Sequence, residues 1–131
     1  MNIVPIGFVR SSAKDKMDCS ELEAVIEVLP EFEEGLYRIE EVQELFVFYI
    51  FDRSEGRALK VHPKGDPSLP LRGVFTTRSP DRPNRIGMTK VTLLRREGNR
   101  LHVKGLDALN GSPVIDIKPA IRLDQNDISQ K

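Results

Sequence analysis

Hydrophobic and polar positions alternate along much of this chain, and the alternation predicts strands. From Glu21 to Leu29, Leu22, Ala24, Ile26 and Val28 fall on one side while Glu21, Glu23 and Glu27 fall on the other. A period of two marks a half-buried strand, with a helix beginning after Ser20 as the alternative. Leu45 to Phe51 is an unbroken apolar run, rich in aromatic and β-branched residues and free of glycine and proline. It reads as a central strand buried on both faces. Further strands are predicted over Asn2 to Arg10, Arg57 to His62, Val74 to Thr77, Thr89 to Arg96, Arg100 to Gly105 and Val114 to Lys118. Glu97-Gly98-Asn99 closes a tight hairpin and Asn110-Gly111 is a turn. Gly35 to Glu44 reads as a short helix or helical turn, and Pro63 to Arg72, with three prolines and a glycine, as loop.

Many short strands at regular spacing with one helical piece predict a mainly β, single-domain, closed or nearly closed β-barrel. The barrel domain is expected over residues 1–123, followed by a polar, loose tail over 124–131. A length of 131 residues fits one domain with a real core.

Charge changes the picture more than composition does. Formal net charge is zero, yet Asp15 to Arg57 carries thirteen acids against four bases, and Arg72 to Arg100 eight bases against two acids. If these segments lie apart, the molecule has an acidic and a basic face, and the basic one suits phosphate. The alternative is that the two segments pair with each other or across a dimer. A single cysteine, Cys19, excludes an internal disulfide framework. With no charged-then-apolar leader and no apolar run long enough for a bilayer, the expected location is the cytoplasm, without membrane attachment.

Several chemistries lack their residues. No two of the nine glycines stand two apart, so no dinucleotide fingerprint exists, and no Gly-Lys pair marks a P-loop. His62 and His102 are the only histidines, and with Cys19 they show no metal-ligand spacing, so no metal is expected. Both histidines read as structural or surface residues. Chemistry must rest on arginine, asparagine, aspartate and backbone groups, or on a bound cofactor.

Gly73 to Met88 is the strongest candidate site: an apolar strand running into a loop with Arg78, Arg82 and Arg85, Pro80 and Pro83, and Asn84. The prolines stiffen the loop and the arginines offer planar, bidentate donors for an anionic ligand. Asp107 and Asn110 beside the Gly111 turn are further candidate contacts, whereas Asp116 and Lys118 share a strand face and read as an ion pair inside the barrel. Asp52-Arg53 ends the apolar run, where a barrel mouth would open.

With these segments in place, the chain resembles the TsaA/TrmO (YaeB-like) family. The resemblance runs from about Ile3 to Pro119. It rests on Ile6-Gly7-Phe8-Val9-Arg10-Ser11, on Gly73 through Met88 with its string Arg78-Ser79-Pro80-Asp81-Arg82-Pro83-Asn84-Arg85-Ile86-Gly87, and on Leu106-Asp107 with Asn110 to Pro119. It implies an S-adenosylmethionine-dependent methyltransferase built on a β-barrel, a homodimer with cofactor pockets near the subunit interface. The implied substrate is the tRNA anticodon loop, methylated at N6 of a threonylcarbamoyl-modified adenosine just 3′ of the anticodon. Carried over by position, Ser11, Ser12, Ala13, Asp52, Arg53, Arg78, Met88, Asp107, Ala108, Leu109, Asn110 and Gly111 look like cofactor contacts. Arg82, Asn84, Arg85 and Lys118 look like pocket or RNA contacts. Arg78 would pair with the cofactor's carboxylate, Asp107 or Asp52 would act as catalytic base, and Arg95 and Arg96 would join Arg82 and Arg85 on RNA phosphates. In bacterial members the Asp52-Arg53 position often reads His-Gln, and Ala120 stands where a tyrosine is common. The readings that compete with this one are a non-catalytic RNA- or anion-binding barrel and a methyltransferase on a non-tRNA substrate.

Overall fold

The computed structural model describes residues 1–11, 22–52, 54 and 58–121. Six strands close into an antiparallel barrel: β1 (Gly7–Arg10), β2 (Glu23–Val28), β3 (Glu44–Ile50), β6 (Ile86–Glu97), β7 (Arg100–Lys104) and β8 (Pro113–Pro119). Their order around the barrel is β1-β2-β7-β6-β3-β8, and β1 pairs with β8 to complete the ring. Closure removes the exposed edges that a six-stranded open sheet would leave. A separate two-stranded ribbon, β4 (Lys60–Val61) with β5 (Arg72–Gly73), lies between β3 and β6 in the chain.

Alternation decides what fills the barrel. Val9, Ala24, Ile26, Val28, Leu45, Val47, Tyr49, Val91, Leu101, Val103 and Val114 are all buried in one core. The predicted period of β2 therefore holds in register, with Ile26 opposite Val9 on one side and Leu101 on the other. Gly7 sits where β1 crowds β2: a Cβ there would lie 2.4 Å from the Glu27 carbonyl oxygen. The β6–β7 hairpin turns through Gly98 and Asn99, with Gly98 at a φ of 60°.

Three expectations are corrected. The apolar run of β3 is not buried on both faces: Leu45, Val47 and Tyr49 point in, whereas Phe46, Phe48 and Ile50 are half-buried. A closed barrel without a second layer leaves its outer face partly wet, and Lys118 covers some of it, its Nζ 6.0 Å from the Phe48 ring centroid. Asp116 and Lys118 accordingly lie exposed on the outside rather than paired within. Val74 to Thr77 does not form a strand but a 3-10 turn over Val74–Thr76. The hydroxyls of Thr76 and Thr77 donate to the Gly73 and Val74 carbonyls at 2.8 and 2.9 Å, and these local bonds compete with a sheet ladder.

The helical piece, expected over Gly35 to Glu44, is instead two 3-10 turns, Pro30–Leu36 and Ile39–Glu41, joined through Tyr37 and a left-handed Arg38, and Glu44 already belongs to β3. Leu36 is buried, and Phe32, Ile39 and Val42 pack on the core. Arg96 of β6 ties this cap down. Its Nη1 donates to the Leu36 carbonyl at 3.0 Å, and its guanidinium lies 4.0 Å from Glu33 and 3.6 Å from Glu40. Lys90 likewise meets Glu44 at 3.6 Å. The acidic and basic segments thus pair with one another, at least in part, which was the alternative reading of the charge pattern. At the hairpin, Arg95 and then His102 hold the Glu97 carboxyl below the usual glutamate range.

Candidate cofactor and substrate cleft

A cleft of about 620 Å³ opens where β3 leaves the barrel and β6 enters it. Its walls come from four places: Tyr49 and Phe51 at the end of β3, Thr77, Arg78 and Arg82 in the arginine loop, Ile86 to Lys90 of β6, and Asp107 after β7. The volume falls within the usual range for small-molecule sites.

The arginine loop is folded by its own hydrogen bonds. Thr77 Oγ1 accepts from the Ser79 amide at 3.2 Å, Ser79 Oγ from the Asp81 amide at 3.2 Å, and the Arg85 amide donates to the Arg82 carbonyl at 3.1 Å. Arg82 Nη1 bridges the Thr77 and Ser79 carbonyls at 2.9 and 3.2 Å. Arg85, at a φ of 52°, reaches away from the cleft to the Ser54 carbonyl at 2.8 Å. Arg78 is the exposed arginine of the loop, with Nη1 3.3 Å from the Met88 carbonyl. It is held at one end and faces the cleft.

The floor is aromatic. Tyr49 and Phe51 meet edge to face, with ring centroids 5.3 Å apart, over Gly87. A Cβ on Gly87 would lie 2.7 Å from both rings, so this position admits only glycine without a shift. The buried Tyr49 hydroxyl donates to the Asp107 carbonyl at 2.5 Å and lies 2.9 Å from Thr89 Oγ1.

Of the residues carried over by resemblance, Arg78, Arg82, Met88 and Asp107 wall this cleft. Asp52 is exposed in the turn after β3, and Asn84 is exposed within the loop; neither is part of the wall. Arg85 braces the loop from behind, and Lys118 belongs to the outer face of β8. Ala108 is buried in the core. Asn110 and Gly111 form the turn into β8, where Asn110 Oδ1 accepts from the Ser11 amide at 3.0 Å and the Gly111 amide donates to the Val9 carbonyl at 2.7 Å. Leu109, half-buried, accepts from the Ser112 amide at 3.1 Å in the same turn. Ser12, Ala13, Arg53 and the tail over 124–131 lie outside the described residues.

Tyr49, Phe51, Thr89 and Lys90 are wall residues that no sequence motif singled out, whereas Thr77, Ile86 and Gly87 lie in the Gly73 to Met88 segment named as the strongest candidate. The predicted strands Leu45 to Phe51 and Thr89 to Arg96, whose ends meet at the cleft, were the available signal. The wall is amphoteric: Arg78, Arg82 and Lys90 are cationic, Asp107 is acidic, and Phe51, Ile86 and Met88 supply apolar surface. Among the described residues no group of His, Cys, Asp or Glu is gathered that would hold a metal ion. No helix among them is long and apolar enough to cross a membrane.

The sequence of residues 11–125 matches the model of the tRNA-methyltransferase O N-terminal domain, TrmO_N. The chain belongs to that family. A curated relative from Archaeoglobus fulgidus, named S-adenosyl-L-methionine-binding protein, is 44% identical over 124 residues, covering 90% of this chain and 88% of its own. A relative from Pseudomonas aeruginosa, named putative S-adenosylmethionine-dependent methyltransferase RcsF, is 36% identical over 131 residues, 92% of this chain and 55% of its own. Among solved structures, a crystal structure of TrmO superposes over the whole chain with a TM-score of 0.78 at 29% identity. Another, of TrmO from Pseudomonas aeruginosa, gives 0.76 at 28% identity. The chain spans 62% and 60% of those two TrmO chains. The arginine loop, the β3–β6 mouth and the Asp107 loop all lie within the segment matched to TrmO_N.

Proposed function

We propose that this chain is an S-adenosylmethionine-dependent methyltransferase acting on N6 of the threonylcarbamoyl-modified adenosine 3′ of the tRNA anticodon, as a cytoplasmic homodimer. The observation that carries the reading is one cleft lined by Arg78, by the acceptor-bearing Thr89 and Asp107, and by apolar Phe51, Ile86 and Met88. An amino-acid-bearing nucleoside needs that combination: a guanidinium for its carboxylate, an acceptor for its ammonium, and apolar surface for its base and thioether. The names of the relatives support the choice of cofactor.

Bound there, S-adenosylmethionine would supply an electrophilic methyl group on a sulfonium. The protein's part is positional. Arg78 binds and orients the carboxylate, and the apolar wall keeps water from the reacting centre. Methyl transfer to N6 would have to be balanced by loss of the N6 proton, and because a carbamoylated nitrogen is a weak nucleophile that loss would need a base. Asp107, the carboxylate in the wall, is our choice of acceptor for that proton; Asp52 is set outside it. Arg82 and Lys90 at the cleft suit the flanking phosphates of a single-stranded loop. Arg96, tied to Leu36, Glu33 and Glu40, does not share that role.

Incubation with labelled S-adenosylmethionine and tRNA pools that carry or lack the threonylcarbamoyl group tests the reading. Label in the modified pool alone is the expected result. Cofactor binding with no transfer to either pool would favour a different acceptor, a reading that the internal pairing of acidic and basic segments supports.

A further inference from the structure

The hydroxyl chain at the back of the cleft has a direction, and the direction fixes what the cleft recognises. Tyr49 is 2% exposed, so its phenolic proton must be satisfied within the protein. The Asp107 carbonyl, 2.5 Å away, has no proton to give and can only accept. Tyr49 therefore donates to Asp107 and, having one proton, accepts from Thr89, whose Oγ1 lies 2.9 Å away. The Thr89 proton is in turn committed to Tyr49. Thr89 also walls the cleft, so any lone pair that its oxygen presents there can only accept.

We propose that Thr89 Oγ1 is a specificity-determining acceptor for the ammonium group of the bound ligand, and that Tyr49 is the positioning residue that makes it one. The proposal rests on the cofactor reading above and adds to it. Arg78 takes the carboxylate of the same amino-acid group, and the Asp107 carboxylate is left for the N6 proton. A hydroxyl acceptor and a guanidinium then read a zwitterion, so a nucleoside without an amino-acid portion loses these contacts.

Calorimetric titration with two ligands tests it: S-adenosylhomocysteine, which carries the amino-acid group, and 5′-methylthioadenosine, which lacks it. Thr89→Val should weaken S-adenosylhomocysteine by about tenfold, the size of one good hydrogen bond, and leave methylthioadenosine unchanged. Thr89→Ser keeps the acceptor and should keep the ratio between the two ligands. Tyr49→Phe frees the Thr89 proton to point into the cleft and should lower the same ratio, whereas a merely structural Tyr49 would weaken both ligands alike. Wild-type binding with an unchanged ratio in Thr89→Val overturns the proposal alone, and equal weakening of both ligands in Tyr49→Phe overturns the positioning role. A wild-type protein silent to both ligands overturns the cofactor reading, and this inference with it. If Tyr49→Phe does not fold, the two Thr89 variants still decide the acceptor.

Discussion

Arg85 and Ser54, thirty-one positions apart, lock two loops together at the mouth of the barrel: Arg85 Nη1 donates to the Ser54 carbonyl at 2.8 Å. Ser54 answers through its hydroxyl, which donates to Asp81 Oδ1 at 2.7 Å. The arginine loop is thereby fastened to the end of β3 by a side chain that never enters the cleft. Arg85→Ala should cost about 1 kcal/mol of stability, the net worth of such a bond. It should also weaken cofactor binding several-fold, because Arg78 and Arg82 would be carried on a looser loop. Urea unfolding and calorimetry on the same variant check both, and unchanged affinity would show that the loop holds its shape alone.

Arg78 is predicted to bind rather than to brace. Only one of its contacts within the protein is described, a long one to the Met88 carbonyl. Arg78→Ala should leave the unfolding midpoint nearly unchanged and lower S-adenosylmethionine affinity by at least about tenfold, as expected for a lost charge-assisted bond. Arg78→Lys should recover only part, since an ammonium lacks the planar fork. Unaltered affinity in Arg78→Ala would refute its assignment to the carboxylate.

Gly87 should not tolerate even one methyl. The added carbon would meet Phe51 and Tyr49 at 2.7 Å, and overpacking of this kind costs about 2 kcal/mol. Gly87→Ala is therefore expected to lower stability by roughly that amount and to displace the Tyr49 hydroxyl from its partners. Chemical denaturation, with the tyrosine absorbance as a second probe, reads both effects.

Arg96 separates the structural cations from the RNA-facing ones. Its side chain is 20% exposed and donates to the Leu36 carbonyl. Arg96→Ala should cost about 1 kcal/mol in unfolding. It should leave the salt dependence of tRNA binding as it was, whereas a phosphate contact would reduce that slope by about one unit. A shallower slope would return Arg96 to the nucleic-acid interface.

The local pattern carried far in this chain. Ala24, Ile26 and Val28 announce the inner face of β2 because a strand's side chains alternate whatever it pairs with. Glu97-Gly98-Asn99 announces its hairpin because a glycine beside an asparagine supplies the backbone conformations that a tight turn needs. Val74 to Thr77 misleads for an equally local reason: β-branched residues favour a strand, but the two threonine hydroxyls bond to carbonyls three residues back. The outer face of β3 misleads for a global one. Seven apolar residues cannot reveal that only one side of their strand will be covered.

By itself the sequence determined the six barrel strands, though β1 begins at Gly7 rather than Asn2, and the stiff arginine loop, since each depends on residues that are neighbours in the chain. Tertiary structure alone decided which charges meet: Arg78 at the cleft, Arg85 behind it, Arg96 on the cap. It also decided that Tyr49, Thr89 and Asp107 share hydrogen bonds. Thr89 and Asp107 lie 40 and 58 positions from Tyr49, and only the pairing of β6 with both β3 and β7 brings their atoms within reach.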